Sequence, residues 1–193
     1  MTKPSGLIYA LAVGILMMLY ACKKGENDPA VSLLTRKARL TGEWKMTSGK
    51  AIYTQYTSKA LYTFDGNSYT ATIIESNKSK NTSGDYSVRL TIRRDGDFKA
   101  KEIYGPTMLD CEGIWAFNTG VGKQKAKEAT AFSITKVNEG LITSCFFNRI
   151  SPAFIYTLKE LRNNKLVLTS SGRILSDTKG NYASLTTEYT FEK

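Results

Sequence analysis

The chain has 193 residues and a formal net charge of +10, from 27 lysines and arginines against 17 acids, with no histidine. That length suits one domain burying about 70% of its unfolded surface. The missing histidine removes the commonest general base, the commonest metal ligand and every His-assisted nucleophile.

The chain opens with Met1-Thr2-Lys3-Pro4-Ser5-Gly6, short and positively charged, followed by an uncharged apolar run from Leu7 to Ala21. A helix of that run would reach only about 22 Å, short of the ~30 Å hydrocarbon core, so it reads as a secretory leader rather than a span. It ends in Leu19-Tyr20-Ala21-Cys22, which resembles the lipobox of bacterial lipoprotein precursors; Tyr20 departs from the small residue usual there. The resemblance implies cleavage after residue 21, a diacylglyceryl thioether on Cys22 and a further acyl chain (palmitate) on its new amino group. Thiolate sulfur is the side-chain nucleophile suited to that alkylation. More than one chain makes a lasting anchor. Lys23 rather than aspartate follows the cysteine, which by analogy directs the protein to the outer membrane.

Residues 22–39 are expected to form the lipidated cysteine, a polar tether and a short helix. Asp28 could cap its free amides and Pro29 suits its first position. The helix would run through Val31, Leu33 and Leu34 to about Arg39. From there to residue 193 the hydrophobic period becomes two. The clearest strand is 85–94, with Tyr86, Val88, Leu90 and Ile92 on one face and Ser87, Arg89, Thr91 and Arg93 on the other. Such alternation marks a sheet packed on one side and wet on the other. Asp95-Gly96 is a hairpin signal, and 98–104 returns. Segments 60–64 and 68–75 repeat the arrangement across Asp65-Gly66-Asn67, and 154–161 and 165–170 repeat it across Asn163-Asn164. Strands are also expected at 43–53, 111–117, 129–137, 141–147 and 185–191, with polar loops at 76–84 and 171–181.

This pattern predicts an all-β fold, an antiparallel up-and-down β-barrel of about 8–10 strands with a short N-terminal helix. A meander most simply hides its edges by closing on itself. Cys111 and Cys145 would lie on strands separated by one other, roughly 10 Å apart, beyond the ~7 Å that a disulfide allows. A simple meander therefore leaves both as buried thiols, and only a departure from it, or a strand that ends early, would let them pair.

Leu40-Thr41-Gly42-Glu43-Trp44-Lys45, just after the helix and at the start of the first strand, carries a Gly-x-Trp that resembles the signature of lipocalins and of bacterial lipocalin-like lipoproteins. Leu158-Lys159-Glu160-Leu161 with Lys165-Leu166-Val167-Leu168 resembles the late hairpin of the bacterial group, and Glu188-Tyr189-Thr190-Phe191 its closing strand. The resemblance covers about 30–193. It implies that Trp44 plugs the closed end of a barrel and that Gly42 lets the chain bend into the strand. Lipocalins usually stack an arginine from the last strand on that tryptophan. Here Lys193 could cover the ring, or Arg39 could serve from the other side.

If the aromatic face points inward, Tyr62, Phe64, Tyr69, Tyr86, Trp115, Phe117, Tyr156 and Tyr189 could line a ligand cavity, being apolar walls with a few polar handles. The same residues would equally make a filled core. Glu102 and Glu112 flank a loop where two acids could converge. No nucleophile, base and orienter assemble from the sequence, so neither an enzyme nor a cofactor or metal is expected. The scattered lysines read as solvated strand faces, because no basic helix or arginine stripe appears. The expectation is an outer-membrane-anchored, lipocalin-like lipoprotein that binds a small apolar ligand. The alternative is an accessory envelope lipoprotein that meets another protein through its surface. Nucleic acid is not an expected partner.

Overall fold

The computed structural model describes residues 33–119, 127–138, 153–175 and 182–193. The leader, Cys22, the tether with Asp28, Pro29 and Val31, the expected strand 141–147 and Cys145 lie outside the described residues. Within them the fold is all-β: ten antiparallel strands, each beside its sequence neighbour, in a ring-shaped, barrel-like sheet that closes between first and last strand. They are β1 (Gly42–Gln55), β2 (Ser58–Phe64), β3 (Ser68–Glu75), β4 (Lys78–Ile92), β5 (Asp97–Tyr104), β6 (Thr107–Phe117), β7 (Ala129–Val137), β8 (Ala153–Leu161), β9 (Lys165–Leu175) and β10 (Tyr182–Glu192).

One helix, α1 (Arg36–Leu40), precedes them. It is shorter than the sequence pattern suggested. Thr35 is its N-cap, with Oγ1 accepting from the Ala38 amide at 3.1 Å, so Leu33 and Leu34 precede the helix and stand exposed. A threonine beside two unburied leucines wins because its oxygen satisfies an amide that leucine cannot.

The two polar loops are also corrected. Residues 78–84 belong to β4, and only Ser76 and Asn77 turn the chain, both with positive φ. Residues 171–175 continue β9. The upper part of β4 is wet on both faces, so it has no apolar alternation to betray it. Likewise β7 pairs directly with β8 over Ala129–Ser133, so the place between them that the meander gave to 141–147 is taken there.

Two long strands give the ring its shape. The start of β1 pairs with β4, Gly42 opposite Ile92 and Lys45 opposite Arg89. From Gly49 onward β1 pairs with β2 instead, while the upper part of β4 pairs with β3. The ring is therefore eight strands round at the α1 end and admits β2 and β3 beyond the fork. The turn between β2 and β3 fills the fork. Asn67 accepts from the Tyr86 amide of β4 at 2.9 Å, and Gly66 lies against Met46 and Thr47 of β1, where the register shifts by a bulge. A glycine is required there: φ is +93°, and a Cβ would meet the Met46 carbonyl oxygen at 2.7 Å.

The inner faces hold the core. Met46, Val88, Leu90, Leu158, Leu168 and Phe191 are all essentially inaccessible. At about 1.5–3 kcal/mol per fully buried large apolar side chain, this layer is the main stabilising contribution.

Candidate functional site

The inward rows of the strands bring the sequence-predicted aromatics together. Phe64 packs on Tyr86 with ring centres 4.4 Å apart and on Tyr189 at 5.9 Å. Tyr189 meets Tyr156 at 6.5 Å, and Tyr156 meets Phe132 at 6.3 Å. Tyr62 and Tyr69 flank this chain on the β2–β3 side, with centres 6.2 Å apart. Phe64, Tyr69, Tyr86, Tyr156 and Tyr189 are buried, and Tyr62 is half-buried.

Trp115 and Phe117 stand apart from that group. They form an edge-to-face pair at 5.4 Å toward the α1 end. Trp115 Nε1 donates to the Arg93 carbonyl at 2.8 Å, and Lys37 lies over its ring at 6.0 Å. These two residues pack at the α1 end, so the eight candidates divide into two sets.

Sequence reasoning missed Tyr104 and did not place Glu102 on the inward face. Tyr104 stacks on Tyr69 at 4.8 Å and meets Tyr86 at 6.1 Å. Glu102, two residues before Tyr104 in the inward row of β5, is 1% exposed. Its position opposite Val88 was available from the hairpin register, but a glutamate in an otherwise apolar row does not announce its face. The expected convergence of Glu102 and Glu112 does not occur. Glu112 pairs in register with Lys99 and lies on the outer face, where the lysine ammonium is 2.6 Å from its carboxylate. That hydrogen bond and charge hold its carboxyl pKa below the ordinary glutamate range. The two acids occupy opposite faces of the sheet, because odd and even positions on neighbouring strands alternate.

Gly42 and Trp44 lie at the start of β1, beside α1. Trp44 is buried, and Nε1 donates to the Leu40 carbonyl at 2.8 Å. Lys193 covers its ring at 4.5 Å. Partial burial pulls the Lys193 ammonium below the usual lysine range. Arg39 reaches elsewhere: Nη1 donates to the Leu161 carbonyl of β8 at 3.0 Å. Cys111 is buried on the inward face of β6, in step with Trp115 as expected.

Two grooves bounded by described residues lie on the outer surface. One, of about 730 Å³, runs over β10, β1, β4, β5 and β6 and carries Lys45, Arg89, Lys101 and Asp110. The other, of about 590 Å³, is lined by hydroxyls of β8, β9 and β10 such as Thr157, Ser171 and Thr186. Both are open and lined mostly by charged or hydroxyl-bearing residues, unlike the aromatic interior.

Compared with family models, with curated proteins and with solved structures, the chain matches none.

Proposed function

We propose that this chain is a lipoprotein of the outer membrane, held there by acyl chains on Cys22, with a lipocalin-like domain that takes a small, mostly apolar ligand. The observation that carries the ligand reading is the wider part of the ring, beyond the β1–β4 fork. There the rings of Tyr62, Tyr69, Tyr86 and Tyr104 pack on one another, and Glu102, opposite Val88 and two residues before Tyr104 on β5, is buried. Apolar walls with a few polar groups suit a small ligand that is held by shape and oriented by one or two hydrogen bonds. The lipocalin-like reading is supported by Gly42 and Trp44 at the α1 end and by Lys193 over the tryptophan. The lipoprotein reading is supported by the leader and Leu19-Tyr20-Ala21-Cys22.

Native mass spectrometry of protein purified from its own host tests the ligand, and a retained small molecule is the expected result. Tyr69→Ala should lose that adduct while the domain stays folded. An intact mass without acyl chains on Cys22, or unchanged membrane fractionation of Cys22→Ser, would sink the anchor.

One observation favours the second reading, an accessory lipoprotein that acts through its surface. Phe64, Tyr86, Tyr156 and Tyr189 touch ring to ring and are nearly inaccessible, as in a filled core. Protein that carries no small molecule from its host, yet copurifies with one envelope protein after cross-linking, would decide for it.

A further inference from the structure

We propose that the α1 end of the domain is a membrane-facing surface that docks on anionic lipid head groups. The argument begins where the chain enters the domain. Leu33 is 99% exposed and Leu34 about half, directly before the Thr35 cap. Lys37 follows on α1 and lies over the Trp115 ring; the Trp115 indole in turn holds the Arg93 carbonyl. Leu33, Leu34, Lys37 and the exposed Arg93-Arg94 of the β4–β5 turn thus share one end of the molecule.

The cations at this end are of two kinds. Arg162 and Lys165, at the β8–β9 turn that α1 touches, are paired with Glu160, as Lys99 is with Glu112 and Lys159 with Glu188 on the walls. Among the described residues, Lys37, Arg93 and Arg94 have no acidic group within 4.0 Å. Of the nearby acids, Asp95 accepts from the Asp97 amide at 3.1 Å, Asp97 is joined to Arg93 through the backbone, and Glu112, which holds Lys99, acts on Arg93 through charge beyond contact distance. Exposed leucines beside unpaired cations suit a bilayer boundary, where apolar side chains enter the head-group layer and cations meet phosphates.

Chain length points to the same partner. Leu33 is eleven residues after Cys22, a span of at most about 40 Å when fully extended. This part of the argument rests on the lipoprotein reading: an acylated Cys22 keeps the α1 end close to the bilayer and leaves the far end of the ring free. The rival surface is the row Lys45, Arg89 and Lys101 on neighbouring strands of the outer groove. Glu192 and Asp110 stand opposite its two ends, so its field is weaker.

The test uses the processed chain, residues 22–193, with Cys22→Ser, so that no acyl chain contributes. It is floated with vesicles of phosphatidylcholine, with or without phosphatidylglycerol, at two salt concentrations. The expected result is binding that needs phosphatidylglycerol and falls with salt. Lys37→Glu, Arg93→Glu and Arg94→Glu should each weaken it roughly fivefold or more. Leu33→Ser with Leu34→Ser should weaken it further, with the circular dichroism of the fold unchanged. Binding that ignores head-group charge overturns the proposal. So does binding unaffected by the three reversals but lost in Lys45→Glu, Arg89→Glu and Lys101→Glu, which would move the surface to the wall. The acyl mass on wild-type Cys22 is measured separately, so failure of the anchor and failure of the surface are distinguishable.

Discussion

The Lys193 ammonium sits 4.5 Å from the centre of the Trp44 ring and donates to the carbonyl oxygens of Arg39 and Thr41, at 3.0 and 2.8 Å. The last residue of the chain thereby ties α1 to the start of β1. It satisfies carbonyls that the end of a helix leaves without partners. Gly42 makes room for it: a Cβ there would meet the lysine Cε at 2.9 Å. Lys193→Ala should lower stability by about 1–2 kcal/mol, the sum of a partly desolvated cation–π contact and the lost hydrogen bonds. Lys193→Arg should keep most of it, because a guanidinium also stacks on an indole. Urea titration measures both. An unchanged midpoint for Lys193→Ala would mean that the side chain is free in solution.

Beneath that lysine, Trp44 is the larger contribution. It is buried at the α1 end, and its truncation to alanine should cost on the order of 3–5 kcal/mol. Trp44→Phe keeps much of the packing but leaves the Leu40 carbonyl without its indole donor. That variant should lose about 1–3 kcal/mol more than the change in apolar surface alone accounts for. A loss under about 1 kcal/mol for Trp44→Ala in denaturant titration would mean that the ring is not a plug.

The sheet was legible wherever one face is wet and the other dry. Tyr86, Val88, Leu90 and Ile92 were assigned inward from alternation alone, and all four are buried. The hairpins at Asp65-Gly66-Asn67, Asp95-Gly96 and Asn163-Asn164 turn where their residue types indicate. The stretch 78–84 looks like a loop in the sequence because both of its faces are wet, which removes the period-two signal while leaving the ladder to β3 intact. The inward row of candidate aromatics was found, but its division was not. Whether Trp115 belongs with Tyr86 or with α1 depends on the Arg93 carbonyl and Lys37, contacts between elements distant in sequence. Tyr104 escaped because it falls at the end of its strand, where alternation stops.

The fork between β1 and β4 gives a sharp test at Gly66. Alanine there would have φ near +93° and a Cβ against the β1 backbone at Met46 and Thr47, which cannot rotate away. Gly66→Ala should therefore destabilise by more than about 1 kcal/mol, despite the smaller entropy of its unfolded chain. Gly96, also at positive φ, has only the Trp115 carbonyl oxygen near its missing Cβ, at 3.7 Å. Its alanine variant should cost less. Equal thermal shifts for the two would argue that the β2–β3 turn does not press on β1.

The turn that carries Gly66 also sets a pH dependence. Asp65 Oδ1 accepts from the amides of Asn67 and Ser68, at 2.9 and 2.7 Å, and Oδ2 accepts from the Ser68 hydroxyl at 2.8 Å. All three bonds favour the charged carboxylate, and the Asn67 amide contributes most to holding its pKa below the ordinary aspartate value of 3.8. A carboxyl more acidic in the folded than in the unfolded chain binds fewer protons when folded, so stability rises with pH across that interval. The contribution is complete above the unfolded value and disappears as pH falls through the folded one. Asp65→Asn removes the titration while keeping an oxygen that can accept one of the bonds. The gap in urea midpoint between wild type and Asp65→Asn should be constant from pH 5 to 8 and should narrow below about pH 4. A gap that stays constant down to pH 2.5 would show that the charge of Asp65 does not hold the turn. Because Asn67 of that turn bonds to Tyr86, the same acid pH range should also loosen the Phe64–Tyr86 contact, read as a change in near-ultraviolet circular dichroism.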